Sequence, residues 1–153
     1  MKKLVSFFIG ILLTAFLSSQ VVAKSTEAER MIVGTHPLTL QWLPDGTPAG
    51  VAFIHKKDGK IWIDGAQEED GAAGDYFTIN GEIRIINARE FEFVGKAVSS
   101  IKHVNGGKPY ERSGKFLFKA WGKRKYWRMQ NMTQPDGPHT LTDYIDIFFE
   151  KLD

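Results

Sequence analysis

Residues 77–85 (FTINGEIRI) place Phe77, Ile79, Gly81, Ile83 and Ile85 on one parity, and Thr78, Asn80, Glu82 and Arg84 on the other. A helix would scatter the two sets around its circumference. A strand with one buried and one wet face keeps them apart. The glycine inside the series predicts a bend or the close approach of another backbone. The alternative is that Asn80-Gly81 closes a tight turn between two shorter strands.

The same texture recurs along the chain. Leu38, Leu40 and Trp42 alternate before Pro44-Asp45-Gly46 breaks the run. Val51, Phe53 and His55 alternate, and Ile61-Trp62-Ile63 resumes after Asp58-Gly59, the clearest hairpin signal present. Residues 64–74 (DGAQEEDGAAG) are acidic and glycine-rich without apolar period, and read as a solvated loop. Phe91 and Phe93 lead toward a turn at Asn105-Gly106-Gly107. Phe116 and Phe118 begin a strand that Gly122 to Lys125 turns into Tyr126–Met129. Gln134 to Thr140 reads as a loop, and Tyr144 to Phe149 as a last strand. These features predict an all-β fold, a single antiparallel barrel or sandwich of about eight strands.

The amino terminus is of another kind. Lys2 and Lys3 precede the apolar run Leu4 to Leu17, and Val21-Val22-Ala23 supplies small residues before Lys24. That order is the pattern of a cleaved secretory signal. The apolar run of about 14 residues is short of the roughly 20 that span a bilayer as a helix. The reading is a signal peptide over 1–23, a loose polar leader over 24–34 that could hold a short helix, and a single β domain over 35–153. The protein is expected to be exported, periplasmic or extracellular, with no transmembrane segment once the signal is gone.

Export changes two arguments. The chain holds 20 Lys and Arg against 18 Asp and Glu. Losing Lys2 and Lys3 makes the two counts equal, so overall basicity is no argument for nucleic acid. An exported chain is free to use disulfides, yet this one has no cysteine. The core alone must hold the fold.

The positive charge that remains is concentrated. Residues 108–128 (KPYERSGKFLFKAWGKRKYWR) set eight bases against the single acid Glu111, with aromatic rings interleaved. Alternation puts Lys115, Leu117, Lys119 and Trp121 on the outer face and Phe116, Phe118 and Ala120 in the core. Lys119, Trp121, Lys123, Arg124, Lys125 and Arg128 are the candidate ligand-binding residues: cations for an anionic group, Trp121 for stacking. The plain alternative is a charged hairpin tip that resists edge aggregation.

Catalytic signals are sparse. His36, His55, His103 and His139 form no metal-binding or HExxH spacing, and the acidic loop lacks the ligand spacing of a calcium loop. There is no nucleophile elbow. Asp143 and Asp146 resemble a glycosidase pair, but residues three apart on a strand face opposite ways. Asp146 is expected on the solvent side with Tyr144 and Phe148, salt-bridged to the basic hairpin. No cofactor or metal is implied.

The sequence thus supports a small non-catalytic binding or interaction domain that meets an anionic envelope component or another exported protein. The alternatives are three. A barrel could enclose a small ligand among Phe77, Ile79, Phe91, Phe93, Phe116 and Phe118. An inhibitor of a secreted enzyme could present Gly65–Gly74 or Gln134–Thr140. A hydrolase could act on envelope polymers.

Overall fold

Inward and outward parities match along the paired stretches of successive strands, apart from a bulge at Ile85/Asn87, and the sheet they build meets itself. The computed structural model describes residues 27–69, 74–134 and 141–153. Its strands are β1 (Gly34–Leu40), β2 (Gly50–Lys57), β3 (Lys60–Glu68), β4 (Tyr76–Asn87), β5 (Glu90–Ser100), β6 (Tyr110–Lys119), β7 (Tyr126–Met129) and β8 (Ile145–Phe148). Each pairs antiparallel with the next, and β8 pairs with β1 through Leu38↔Ile147 and its neighbours. The sheet is a closed up-and-down barrel, not a sandwich. Residues 1–26, which include the expected signal peptide, residues 70–73 of the expected acidic loop, and residues 135–140 with His139 lie outside the described residues.

The alternation of residues 77–85 belongs to one long strand, so Asn80-Gly81 is not a turn. Gly81 lies opposite Gly95, and Gly95 opposite Gly114. All three have inward parity. A Cβ on Gly81 would stand 2.4 Å from the Val94 carbonyl oxygen, and one on Gly95 2.2 Å from that of Asn80. Both would also meet the Phe93 ring, which lies across these two glycines. The glycines let the sheet bend and let an aromatic ring pack on bare backbone.

The Asp58-Gly59 hairpin is as read: both residues have positive φ, 53° and 74°, as a two-residue turn between twisted strands requires. The expected loop from Asp64 is corrected. β3 continues to Glu68, with Gly65 opposite Ile79 and Gln67 opposite Phe77. The missing apolar period has a steric cause, since a Cβ on Gly65 would sit 2.9 Å from the Ile79 side chain.

Phe77, Ile79, Phe91, Phe93, Phe116 and Phe118 all point inward and are buried. Phe91 stacks on Phe118 at 5.1 Å between centroids, and Phe93 on Phe116 at 6.0 Å. These side chains pack on one another, as eight strands leave an interior just wide enough for side chains to fill. On the side of the short strands β7 and β8, Trp127 is fully buried, 4.4 Å from Phe149 and 5.8 Å from Phe91. Its indole N–H donates to the Ala88 carbonyl at 3.1 Å.

Polar groups close both ends. At one end Arg112 and Asp143, both buried, pair at 3.3 Å. Asp143 also accepts from the Trp42 indole at 2.8 Å and from Gln134 at 2.9 Å. At the other end, residues 27–32 are helical rather than a loose leader, with Ala28 and Ile32 buried. Those two apolar positions lie four apart, on one helical face. His36 is buried here, with the carbonyl oxygens of Ile32, Phe148 and Glu150 at 2.9, 2.8 and 3.1 Å from its ring nitrogens. Lys151 Nζ donates to the carbonyls of Arg30 and Val33 at 2.6 and 2.7 Å. Among the described residues no helix is long and apolar enough to cross a membrane.

Gly95→Ala is expected to cost about 3 kcal/mol, from backbone collision. Gly59→Ala, where nothing stands within 4 Å, should cost about 1 kcal/mol of left-handed strain. Urea midpoints measure both, and equal losses would argue against the glycine row as a steric requirement. Burial holds the His36 pKa below its ordinary 6.5, although the surrounding carbonyls pull it the other way. The unfolded chain then takes up this proton at a higher pH than the folded one. The residue's contribution to stability is present above about pH 6.5 and is lost as pH falls through the depressed folded value. Stability should fall between pH 7 and pH 5.5, and His36→Gln should flatten that slope.

Candidate functional site

The β6–β7 turn, residues 120–125, stands at the barrel end that also carries His36. Ala120 is the last inward residue of the β6 parity, and it is buried. Trp121 through Lys125 are exposed.

The turn is held by a residue that the basic run does not include. Arg89, in the β4–β5 turn, donates from Nη2 to the carbonyl oxygens of Ala120, Gly122 and Arg124 at 3.0, 2.7 and 3.2 Å. Ala120 N–H returns a bond to the Arg89 carbonyl at 2.9 Å. Within the turn Arg124 N–H donates to the Trp121 carbonyl at 3.1 Å, and Phe149 N–H donates to that of Lys125 at 2.8 Å. A guanidinium spends its planar array of donors well on several carbonyls at once. Only the hairpin register brings Arg89 here, so no sequence signal marks it.

The six candidates divide. Trp121 is 54% exposed, the most exposed large apolar side chain described, and its indole N–H donates to Gln130 at 2.6 Å. Lys119 Nζ lies 4.1 Å from the Trp121 ring centroid and 3.4 Å from Glu90. It is a structural neighbour of Trp121, half committed to a carboxylate. Lys123 and Lys125 have no ion-pair partner among the described residues. Arg124 has no carboxylate partner there either, and its guanidinium sits 5.5 Å from the Tyr126 ring.

Arg128 is corrected as an open contact. Its side chain is 16% exposed and makes a two-pronged salt bridge to Asp146, both bonds 2.6 Å. Donation to the Asp146 carboxylate raises the Arg128 pKa still further. The guanidinium also covers the Tyr144 ring at 4.2 Å. Asp146 is corrected in turn. It has outward parity and the expected salt bridge, but Arg128 buries it to 7% exposure. Asp143 faces inward to Arg112, so the two aspartates are on opposite sides of the wall and cannot act on one bond.

What remains accessible is Trp121 with Lys123, Arg124 and Lys125: three cations on a braced turn beside an aromatic ring. Among the described residues, no three His, Asp or Glu side chains converge closely enough to hold a metal ion.

The model of the PM1083 family matches residues 20–149. A protein of Pasteurella multocida (strain Pm70), described as "Uncharacterized protein PM1083", is 39% identical over 124 residues, covering 81% of this chain and 77% of that one. No solved structure matches the chain.

Asp146→Ala should destabilise the protein by about 2–3 kcal/mol, because it strands a largely buried guanidinium. Glu90→Ala, beside a more open lysine, should cost less than about 1 kcal/mol. Chemical denaturation of the two variants checks the contrast. Equal costs would return Arg128 to the set of free cations.

Proposed function

The chain belongs to the PM1083 family, and we propose that it works outside the cytoplasm as a non-catalytic binding domain whose β6–β7 turn meets an anionic component of the cell envelope. The observation that carries this reading is the unneutralised charge of Lys123, Arg124 and Lys125 on a turn that Arg89 braces through three carbonyls. Elsewhere on the barrel, lysines and arginines such as Lys56, Lys60, Arg84 and Lys96 lie against glutamates. Three cations gathered without a carboxylate repel one another, and an anionic partner relieves that repulsion.

Trp121 adds a flat apolar surface beside the charge. Such a ring suits the boundary between a charged headgroup region and its apolar neighbour, or the face of a stacking group. Export follows from the amino-terminal signal pattern in the sequence. An acidic exported protein would present the same chemistry to the turn.

The test replaces Lys123, Arg124 and Lys125 together by Ser. Retention of the protein on envelope extracts is then measured at an ionic strength of about 0.01 M and again at ~0.15 M. Near an anionic membrane each cation contributes about 1 kcal/mol, so the triple variant should lose roughly a hundredfold in retention at low salt. The wild-type protein should itself weaken as salt rises. Retention that neither the substitution nor the salt alters would sink the proposal. Anionic vesicles compared with an envelope protein fraction separate the lipid from the protein partner.

A further inference from the structure

We infer that the outer face of β2, β3 and β4 holds a second site, for a neutral saccharide ring. It is independent of the β6–β7 turn.

Side chains of outward parity on three paired strands form the site. His55 lies opposite Trp62, Phe53 opposite Asp64, and Asp64 opposite Asn80. His55 Nε2–H donates to Asp64 Oδ2 at 2.9 Å. Asn80 Nδ2 donates to the other oxygen of the same carboxylate. Asp64 is thus fixed from both sides yet remains about half exposed. Phe53 is 49% exposed and stacks on the His55 ring, 4.7 Å between centroids at 16°. A cleft of about 480 Å³ runs between His55, Trp62, Asp64 and Asn80. A neighbouring depression shares Asp64 and Asn80 with it. The volume lies within the range of small-molecule sites.

Two features select the ligand class. Trp42, Trp121 and Trp127 each donate their indole N–H to a protein acceptor. Trp62, which lines the cleft, has no such acceptor among the described residues, which leaves its donor for a ligand or water. The cleft also has no surplus of cations. Lys57 and Lys60 stand against Asp58 and Asp64, and Lys60 is already tied to Glu82 at 2.8 Å. A cleft without surplus positive charge does not select a phosphate.

A sugar ring answers both features. Its C–H face packs on an aromatic plane, here Trp62. Its hydroxyls each donate and accept. Asp64 and the Asn80 carbonyl accept from them, and the Trp62 N–H donates to them. Because His55 and Asn80 already hold Asp64, little ordering is needed on binding.

The test is calorimetric titration of the exported, purified protein with chitotriose and with maltotriose, two neutral oligosaccharides. At least one should bind, and Trp62→Ala and Asp64→Asn should each weaken it tenfold or more. Trp62→Phe keeps a ring but removes the N–H, and should weaken binding less than Trp62→Ala. Near-ultraviolet circular dichroism confirms that each variant is folded. The Lys123/Arg124/Lys125→Ser variant should bind the sugar unchanged, which separates this site from the turn. No heat with either sugar, or equal affinity in Trp62→Phe and Asp64→Asn and the wild type, overturns the inference. Binding of dextran sulfate that is lost in Trp62→Phe and kept in the triple variant would also overturn it, because the site would then take an anion.

Discussion

Three glycines side by side across β4, β5 and β6 let the sheet turn tightly enough to meet itself. With no Cβ at Gly81, Gly95 and Gly114, adjacent backbones bend together, and the Phe93 ring covers Gly81 and Gly95. The long strands supply most of the wall. The far side is closed by β7 and β8, four residues each. So short a seam has few ladder bonds, and the indole of Trp127, buried against His36, Phe91 and Phe149, supplies much of its packing. A cysteine-free chain thereby replaces cross-links with closure, which leaves unpaired edge only where β6 and β1 run past the short β7 and β8.

Closure also sorts the charges. The wall separates Asp143, which faces the interior, from Asp146, which faces out, and an arginine meets each. A buried carboxylate without a partner would be costly, so Arg112 and Arg128 are held in the structure and withdrawn from any partner. Arg89 is spent on the carbonyls of the β6–β7 turn. The basic stretch of residues 108–128 therefore presents far less charge than its composition promises. What it presents is concentrated at Lys123, Arg124 and Lys125, where the chain reverses and no acid among the described residues pairs with them.

Two surfaces of different character result. The turn is cationic, with Trp121 exposed beside it. The outer face of β2–β4 has no surplus of cations and is aromatic, with His55 and Asn80 bonded to Asp64. On the readings proposed above, the turn would hold an anionic layer by charge, which salt weakens, and the outer face a sugar by shape and hydrogen bonding, which salt hardly affects.

The sequence by itself determined the strands. Side-chain parity is a local property, so the alternation of Phe77 to Ile85, the Asp58-Gly59 turn and the inward phenylalanines of β6 were all legible in it. It also showed where cations cluster. It misread residues 64–68, whose small side chains conceal a strand because Ile79 and Leu38 crowd Gly65. The helical turn over 27–32 was legible only as a possibility, since Ala28 and Ile32 are too few to set a period. Only the tertiary structure decided between barrel and sandwich, made Arg128 a partner of Asp146, brought Arg89 under the turn, and set His55, Asp64 and Asn80 in a row. The physical reason is register. Which residue faces which across two strands depends on where the sheet bends and how it closes, and those are properties of the whole barrel rather than of any segment within it.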